Sequence, residues 1–118
     1  MEMFGPTLIK LAQSRQVIGV DLQGHGRTAL GNRDISLVDM GNDMAGVLKK
    51  AGFDKVDVLG YSMGGGVAFQ LAAQHPQMVR RLALVSTPFA QDGFYPEMLP
   101  QQAAVGAAIR FWPMRWKH

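Results

Sequence analysis

The sequence predicts an α/β fold with about three parallel strands and flanking helices. Segments with apolar residues at helical spacing alternate with short β-branched runs, in the order helix, strand, helix, strand, helix, strand. This alternation is typical of parallel strands joined by crossover helices. The strand segments are apolar almost throughout, as expected when both faces of a sheet are covered. With 118 residues, 47% of them hydrophobic, the chain is predicted to form one globular domain at most.

The first half of the pattern begins with a helix over residues 4–12, where apolar residues recur at helical spacing and Pro6 suits the first turn. Residues 16–21, Gln-Val-Ile-Gly-Val-Asp, are rich in β-branched side chains and predict the first strand. Residues 22–33 are polar and rich in glycine, which indicates a loop.

The second helix has signals at both of its ends. Ser36, with Asp39 three residues later, resembles a capping box in which Asp replaces the usual Glu. An apolar stripe follows between residues 37 and 51, and two lysines occupy the last turn, where the helix dipole favours cations. Gly52 suits the left-handed position that ends a helix.

A strand, a helix and another strand follow directly. Residues 56–61 predict the second strand, residues 63–75 a helix closed by Pro76, and residues 81–86 the third strand. The three prolines between residues 87 and 100 then indicate a loop. The remaining chain is predicted to be an Ala-rich segment followed by an irregular tail of basic and aromatic residues.

Charge and composition exclude several classes of function. The net charge is +3, but acidic and basic residues balance up to residue 97, so the excess lies in Arg110, Arg115 and Lys117. A basic face that binds nucleic acid is therefore not expected. The tail alternates cations and aromatics, a composition also found in membrane or single-strand binders, but it is short and interrupted by Pro113.

Targeting signals are not evident in the sequence. No apolar run approaches the roughly 18 residues that a membrane-spanning helix needs. The first ten residues lack the basic and apolar regions of a secretory signal, so a cytoplasmic location is expected. The chain has no cysteine, which excludes disulfides and thiolate metal sites.

The pentapeptide Gly60-Tyr61-Ser62-Met63-Gly64 matches the nucleophile elbow of serine hydrolases. In such an elbow, a strained strand-to-helix turn projects the Ser62 hydroxyl from the sheet edge, and Gly60 and Gly64 let neighbouring backbone approach. The Met63 N–H then lies at a helix N-terminus, where negative charge is stabilised. The alternative is a glycine-rich turn that holds a phosphate. A dinucleotide site is disfavoured because residues 64–66 lack the G-x-G-x-x-G spacing.

A second motif precedes this one. Residues 20–28, Val-Asp-Leu-Gln-Gly-His-Gly-Arg-Thr, end the first predicted strand. Together with residues 60–65 they resemble the α/β-hydrolase superfamily, in which many members carry D-x-x-G-x-G-x-S at this place, and Thr28 stands where serine is commoner. The resemblance covers roughly residues 4–90 and indicates a partial α/β-hydrolase fold, the middle of a catalytic domain. It indicates no particular substrate.

The resemblance implies acyl transfer on a small ester-like or other carbonyl substrate, without metal or cofactor. Ser62 would be the nucleophile and the Met63 N–H an oxyanion donor. Esterase, lipase, C–C hydrolase and cofactor-free peroxidase activities stay open. Epoxide and haloalkane hydrolases are disfavoured, because they carry aspartate at the position of Ser62.

The acid and base of a triad have no convincing source in the sequence. The family orders its triad as Ser, acid, His, and the acids after Ser62 are Asp92 and Glu97, at the start of a lid-like region. The resemblance implies structural roles for Asp21 and His25, although His25 is retained as a candidate base. His75 lies beside Pro76 at a helix end, where capping is the plain explanation, and His118 is the last residue.

These observations give two competing expectations. Residues 1–90 are the central part of a hydrolase core and residues 91–118 a lid-like start with an irregular tail, so the chain alone would be weakly active or inactive. The alternative is a non-catalytic fragment or interaction module that keeps the scaffold. In the resembled sheet another strand lies between segments 16–21 and 56–61, so self-association through exposed sheet edges is also expected.

Overall fold

The computed structural model describes residues 4–87 and Glu97. These residues divide into an N-terminal unit that ends at Arg33 and a C-terminal unit that begins at Asp34. The N-terminal unit holds helix α1 and a long loop. The elements are α1 (Gly5–Ala12), α2 (Leu37–Lys50), β1 (Val56–Tyr61), α3 (Met63–Gln74), a short 3-10 helix (Pro76–Met78) and β2 (Val79–Val85).

The C-terminal unit is built on a parallel pair of strands. β1 and β2 pair from Val56 opposite Val79 to Tyr61 opposite Val85, with a register shift just after Val56. Helix α3 makes the crossover between the strands and packs against both of them and against α2. Because both strands run in the same direction, their carboxyl ends meet at one edge of the sheet.

The core lies between the sheet and the two helices. Ala45 and Leu48 of α2 pack with Leu71 of α3 and with Met78. The two helices approach closely at Gly41, where a side-chain Cβ would lie 2.9 Å from Gln70 Cβ. This packing removes apolar surface from water and holds α3 against the sheet.

Both ends of α2 confirm the sequence signals. Ser36 is extended, with φ −137° and ψ 129°, and its hydroxyl oxygen accepts a hydrogen bond from the Asp39 N–H at 3.3 Å. At the other end, Gly52 adopts φ 83°, the left-handed conformation that glycine favours. The predicted boundaries of this helix therefore agree with the structure to within a residue.

One predicted strand is wrong. Residues 16–21 have no regular secondary structure, and the described sheet has two strands, β1 and β2, where about three were expected. Their β-branched side chains favour extended backbone, but a strand also needs a hydrogen-bonded neighbour. The α/β class with parallel strands is confirmed.

Smaller differences concern the ends of elements. Helix α3 ends at Gln74, with His75 as its cap, and β2 covers Val79–Val85 rather than 81–86. The predictions for residues 88–118 lie outside the described residues, apart from Glu97, which is exposed. Among the helices of the described residues, none combines the length and the hydrophobicity that a membrane span requires.

Candidate active site

Ser62 forms the sharp turn between β1 and α3. Its backbone has φ 52° and ψ −122°, a left-handed conformation that is rare outside glycine and that costs on the order of 1–3 kcal/mol. The Ser62 N–H donates to the Val85 carbonyl at 2.9 Å, so the turn is fastened to the end of β2. The strand, turn and helix predicted around Ser62 are all present.

The glycines around Ser62 permit this turn in unequal ways. A Cβ on Gly60 would lie 2.5 Å from the Gly64 carbonyl oxygen and from Gly65 Cα, so the close approach expected there exists. The structure differs at Gly64, where a Cβ would meet nothing within 4 Å. The second tight position is Gly65, where a Cβ would lie 2.7 Å from Thr87 Cβ.

The Ser62 side chain is exposed and makes no capping bond to α3, although Ser62 is the N-cap residue. Met63 is the first residue of α3, so its N–H is one of the amides without an acceptor in the preceding turn. The partial positive charge of the helix N-terminus favours an anion at this position. Hydroxyl and amide thus belong to adjacent residues at the carboxyl edge of the sheet.

The chain directly after β2 also contacts Ser62. Ser86 is the second non-glycine residue with positive φ among the described residues, at 51°. The Thr87 hydroxyl donates to the Ser62 carbonyl at 3.1 Å and to the Val85 carbonyl at 3.2 Å. Sequence reasoning assigned Thr87 to a loop and missed this contact, and no local signal indicates it.

The loop of the N-terminal unit is organised by Asp21, as the resemblance implied. The Asp21 carboxylate accepts a hydrogen bond from the Arg27 N–H at 3.2 Å, and the backbone carbonyl of Asp21 accepts one from the Thr28 hydroxyl at 2.6 Å. Gly26 has φ 51°, and a Cβ there would collide with the Asp21 carboxylate. The glycine-rich sequence therefore allows the loop to close over this side chain.

Gln23 is a further organising residue, which sequence reasoning missed. It is buried, and its amide donates to the Leu30 carbonyl at 2.7 Å and the Arg33 carbonyl at 2.9 Å. The Arg33 guanidinium donates in return to the Gln23 side-chain oxygen at 2.7 Å. The sequence shows Gln23 only as a polar residue in a glycine-rich loop, and that pattern does not indicate that its side chain is buried.

The candidate base His25 has a defined ring orientation. Its Nδ1 lies 2.9 Å from the Gln23 carbonyl, and because a carbonyl only accepts, Nδ1 carries the proton. The bond fits the structural role that the resemblance implied. His25 belongs to the N-terminal unit and Ser62 to the C-terminal unit, so a catalytic role for His25 stays a prediction.

His75 is not placed to act on Ser62. Its Nε2 lies 2.7 Å from Asn42 Oδ1, which ties the end of α3 to α2. The whole of α3 separates it from Ser62, about 18 Å along the helix axis. Asp92 and His118 lie outside the described residues. Within residues 34–87, no carboxylate or imidazole is hydrogen-bonded to the Ser62 hydroxyl.

Comparison with known proteins identifies relatives of this chain. An uncharacterised protein of Mycobacterium tuberculosis is 46% identical over 77 residues, which cover 65% of this chain and 23% of that protein. The putative carbamate hydrolase RutD of Azorhizobium caulinodans is 39% identical over 92 residues, covering 75% of this chain and 34% of that protein. The solved structure of Est816, described as an N-acyl homoserine lactone degrading enzyme, matches with a TM-score of 0.73 at 30% identity.

The match to Est816 covers 88% of this chain and 41% of that one. The chain therefore spans less than half the length of each of these three relatives. A family model described as the alpha/beta hydrolase fold matches residues 2–109. This match takes in most of the sequence, and the chain belongs to the alpha/beta hydrolase fold family.

Proposed function

We propose that the chain carries the nucleophile of a serine hydrolase, with Ser62 as the attacking residue and the Met63 N–H as one oxyanion donor. The observation that supports this role most directly is the strained backbone of Ser62, at φ 52°, on an exposed turn between a strand and a helix. Strain of this kind clusters at active sites, where the surrounding structure holds a residue in an unfavourable conformation. Relatives described as hydrolases support the same reaction class.

The chemistry follows from the two groups at the turn. The Ser62 oxygen would attack a carbonyl carbon, and negative charge would develop on the carbonyl oxygen beside the Met63 N–H. The bond to the leaving group would then break, and water would later hydrolyse the acyl-enzyme. The Ser62 proton needs a base during attack, and the leaving group needs a proton to depart.

A base is what limits the proposed activity. Removal of the histidine of such a triad lowers turnover by on the order of a million-fold. Residues 34–87 bring no base to Ser62, so we expect weak activity or none from the chain alone. The alternative is a non-catalytic module that keeps the hydrolase scaffold. The labelling experiment described below distinguishes the two.

The proposed substrates are small carbonyl compounds. RutD is named a putative carbamate hydrolase and Est816 an N-acyl homoserine lactone degrading enzyme, and carbamates and lactones both contain a carbonyl group. We propose the same substrate class here, including esters, with no metal or cofactor.

A fluorophosphonate probe tests the nucleophile. Labelling of the parent chain that is lost in Ser62→Ala and retained in Ser14→Ala would support Ser62 as a working nucleophile. Cleavage after Lys55 and Arg80 gives a tryptic peptide in which Ser62 is the sole serine, so mass spectrometry can locate the adduct. Ser86 falls in the peptide beginning at Leu82, which makes the two strained serines separable.

The candidate base is tested in the same assay. Slower labelling of His25→Gln would assign the base to His25, whereas unchanged labelling would assign it elsewhere. An unlabelled parent chain would contradict a working nucleophile in this chain and favour the non-catalytic alternative.

A further inference from the structure

We infer that Thr87 is a positioning residue that sets the direction of the Met63 N–H. The inference rests on the proposed function in one respect, since it assigns this N–H to the oxyanion. The main evidence is the hydrogen bond that the Thr87 hydroxyl donates to the Ser62 carbonyl at 3.1 Å. Neither the elbow pentapeptide nor the comparisons assign a role to Thr87.

The link between Thr87 and Met63 is the peptide bond that joins Ser62 to Met63. This unit is planar and trans, so its N–H points opposite to its C=O. Any group that holds the Ser62 carbonyl therefore also directs the Met63 N–H. Its donors include the Gly65 N–H at 2.9 Å and the Thr87 hydroxyl at 3.1 Å, and as the N-cap carbonyl it also accepts the first hydrogen bond of α3.

The Thr87 hydroxyl also joins both sides of the turn. The Val85 carbonyl accepts from the Ser62 N–H at 2.9 Å, and it lies 3.2 Å from the same hydroxyl. The single hydroxyl proton is shared between the carbonyls of Ser62 and Val85. Thr87 thus connects the last residue of β2 with both peptide units that flank Ser62.

Two backbone features bring Thr87 to this position. Ser86 has φ 51°, so the chain turns sharply after the last paired residue of β2. Gly65 has no side chain, and a Cβ there would collide with the Thr87 hydroxyl and lie 2.8 Å from its methyl carbon. The Thr87 side chain, both its hydroxyl and its methyl group, therefore occupies the space that a side chain on Gly65 would need.

The Ser62 carbonyl has other donors besides this hydroxyl, so removal of the hydroxyl should loosen the peptide without releasing it. A neutral hydrogen bond of this kind changes a rate constant by roughly 3- to 10-fold. We expect that reduction in the second-order rate constant for fluorophosphonate labelling of Thr87→Val, in which valine keeps the shape and lacks the donor. Thr87→Ser restores the donor and should label near the parent rate.

Nuclear magnetic resonance gives a readout independent of activity. The order parameter and the residual dipolar coupling of the Met63 ¹⁵N–¹H pair report the motion and direction of this bond. Both should change in Thr87→Val and stay close to the parent in Thr87→Ser. Thr7→Val, an exposed substitution of the same kind on α1, should leave both unchanged.

The two readouts separate the two proposals. A Met63 signal in Thr87→Val identical to the parent would overturn the role of Thr87, whether or not the chain labels. An unlabelled parent would contradict the nucleophile, and the Met63 coupling would still decide the positioning role. Should valine prevent folding, Thr87→Ser and Thr87→Ala make the same comparison, because they differ only in the hydroxyl oxygen.

Discussion

A methyl group on Gly65 would lie 2.7 Å from Thr87 Cβ, whereas one on Gly64 would meet nothing within 4 Å. We therefore expect Gly65→Ala to lower the free energy of unfolding by about 1–3 kcal/mol through overpacking. Gly64→Ala should leave it unchanged or raise it by up to about 1 kcal/mol, since alanine favours helix. Urea unfolding of both variants checks the difference, and equal effects would contradict it.

The residues of the turn differ in how far sequence can predict them. Gly60 and Ser62 belong to one pentapeptide between a strand and a helix, so their arrangement follows from local sequence. Thr87 is 25 residues from Ser62 and contacts it because the ends of β1 and β2 are in register. That register depends on pairing between distant segments, which no single stretch of sequence specifies.

At the scale of elements, the start of α2 depends on one side chain. Ser36 accepts the Asp39 N–H at 3.3 Å and satisfies an amide that the helix leaves without a partner. Ser36→Ala should lower the free energy of unfolding by about 1 kcal/mol, while Ser36→Asn, which can also cap, should stay close to the parent. Thermal or urea unfolding measures this, and equal loss in both variants would show that the cap is not responsible.

Helix α2 and residues 16–21 show why some elements were predicted and one was not. The apolar stripe, the cap at Ser36 and the end at Gly52 are local properties, and the helix satisfies most of its own hydrogen bonds. The β-branched side chains of residues 16–21 indicate extended backbone in the same local way. A strand, however, takes its hydrogen bonds from a neighbour, and the described sheet provides that for β1 and β2 alone.

At the scale of the whole molecule, the sheet of the C-terminal unit is covered unevenly. Val56 and Val58 pack against the core on one face. On the opposite face, alternate residues of β1 and β2 leave apolar side chains exposed, with Leu59 at 52%, Tyr61 at 41% and Val85 at 44%. A sheet of two strands is also marginal by itself, and each outer edge lacks a partner strand within residues 34–87.

We propose that a second copy of the chain pairs with an exposed edge of this sheet and also covers the exposed face, so that the chain self-associates. The weight-average sedimentation coefficient should rise with concentration, since binding between copies follows mass action. Leu59→Lys places a charge on the face and should weaken the rise. Ile9→Lys, an exposed position on α1 at 69%, is the matched control and should behave like the parent. A parent chain that sediments as a monomer at every concentration and unfolds in one sharp thermal transition would contradict the proposal, because the exposed face would then need no partner.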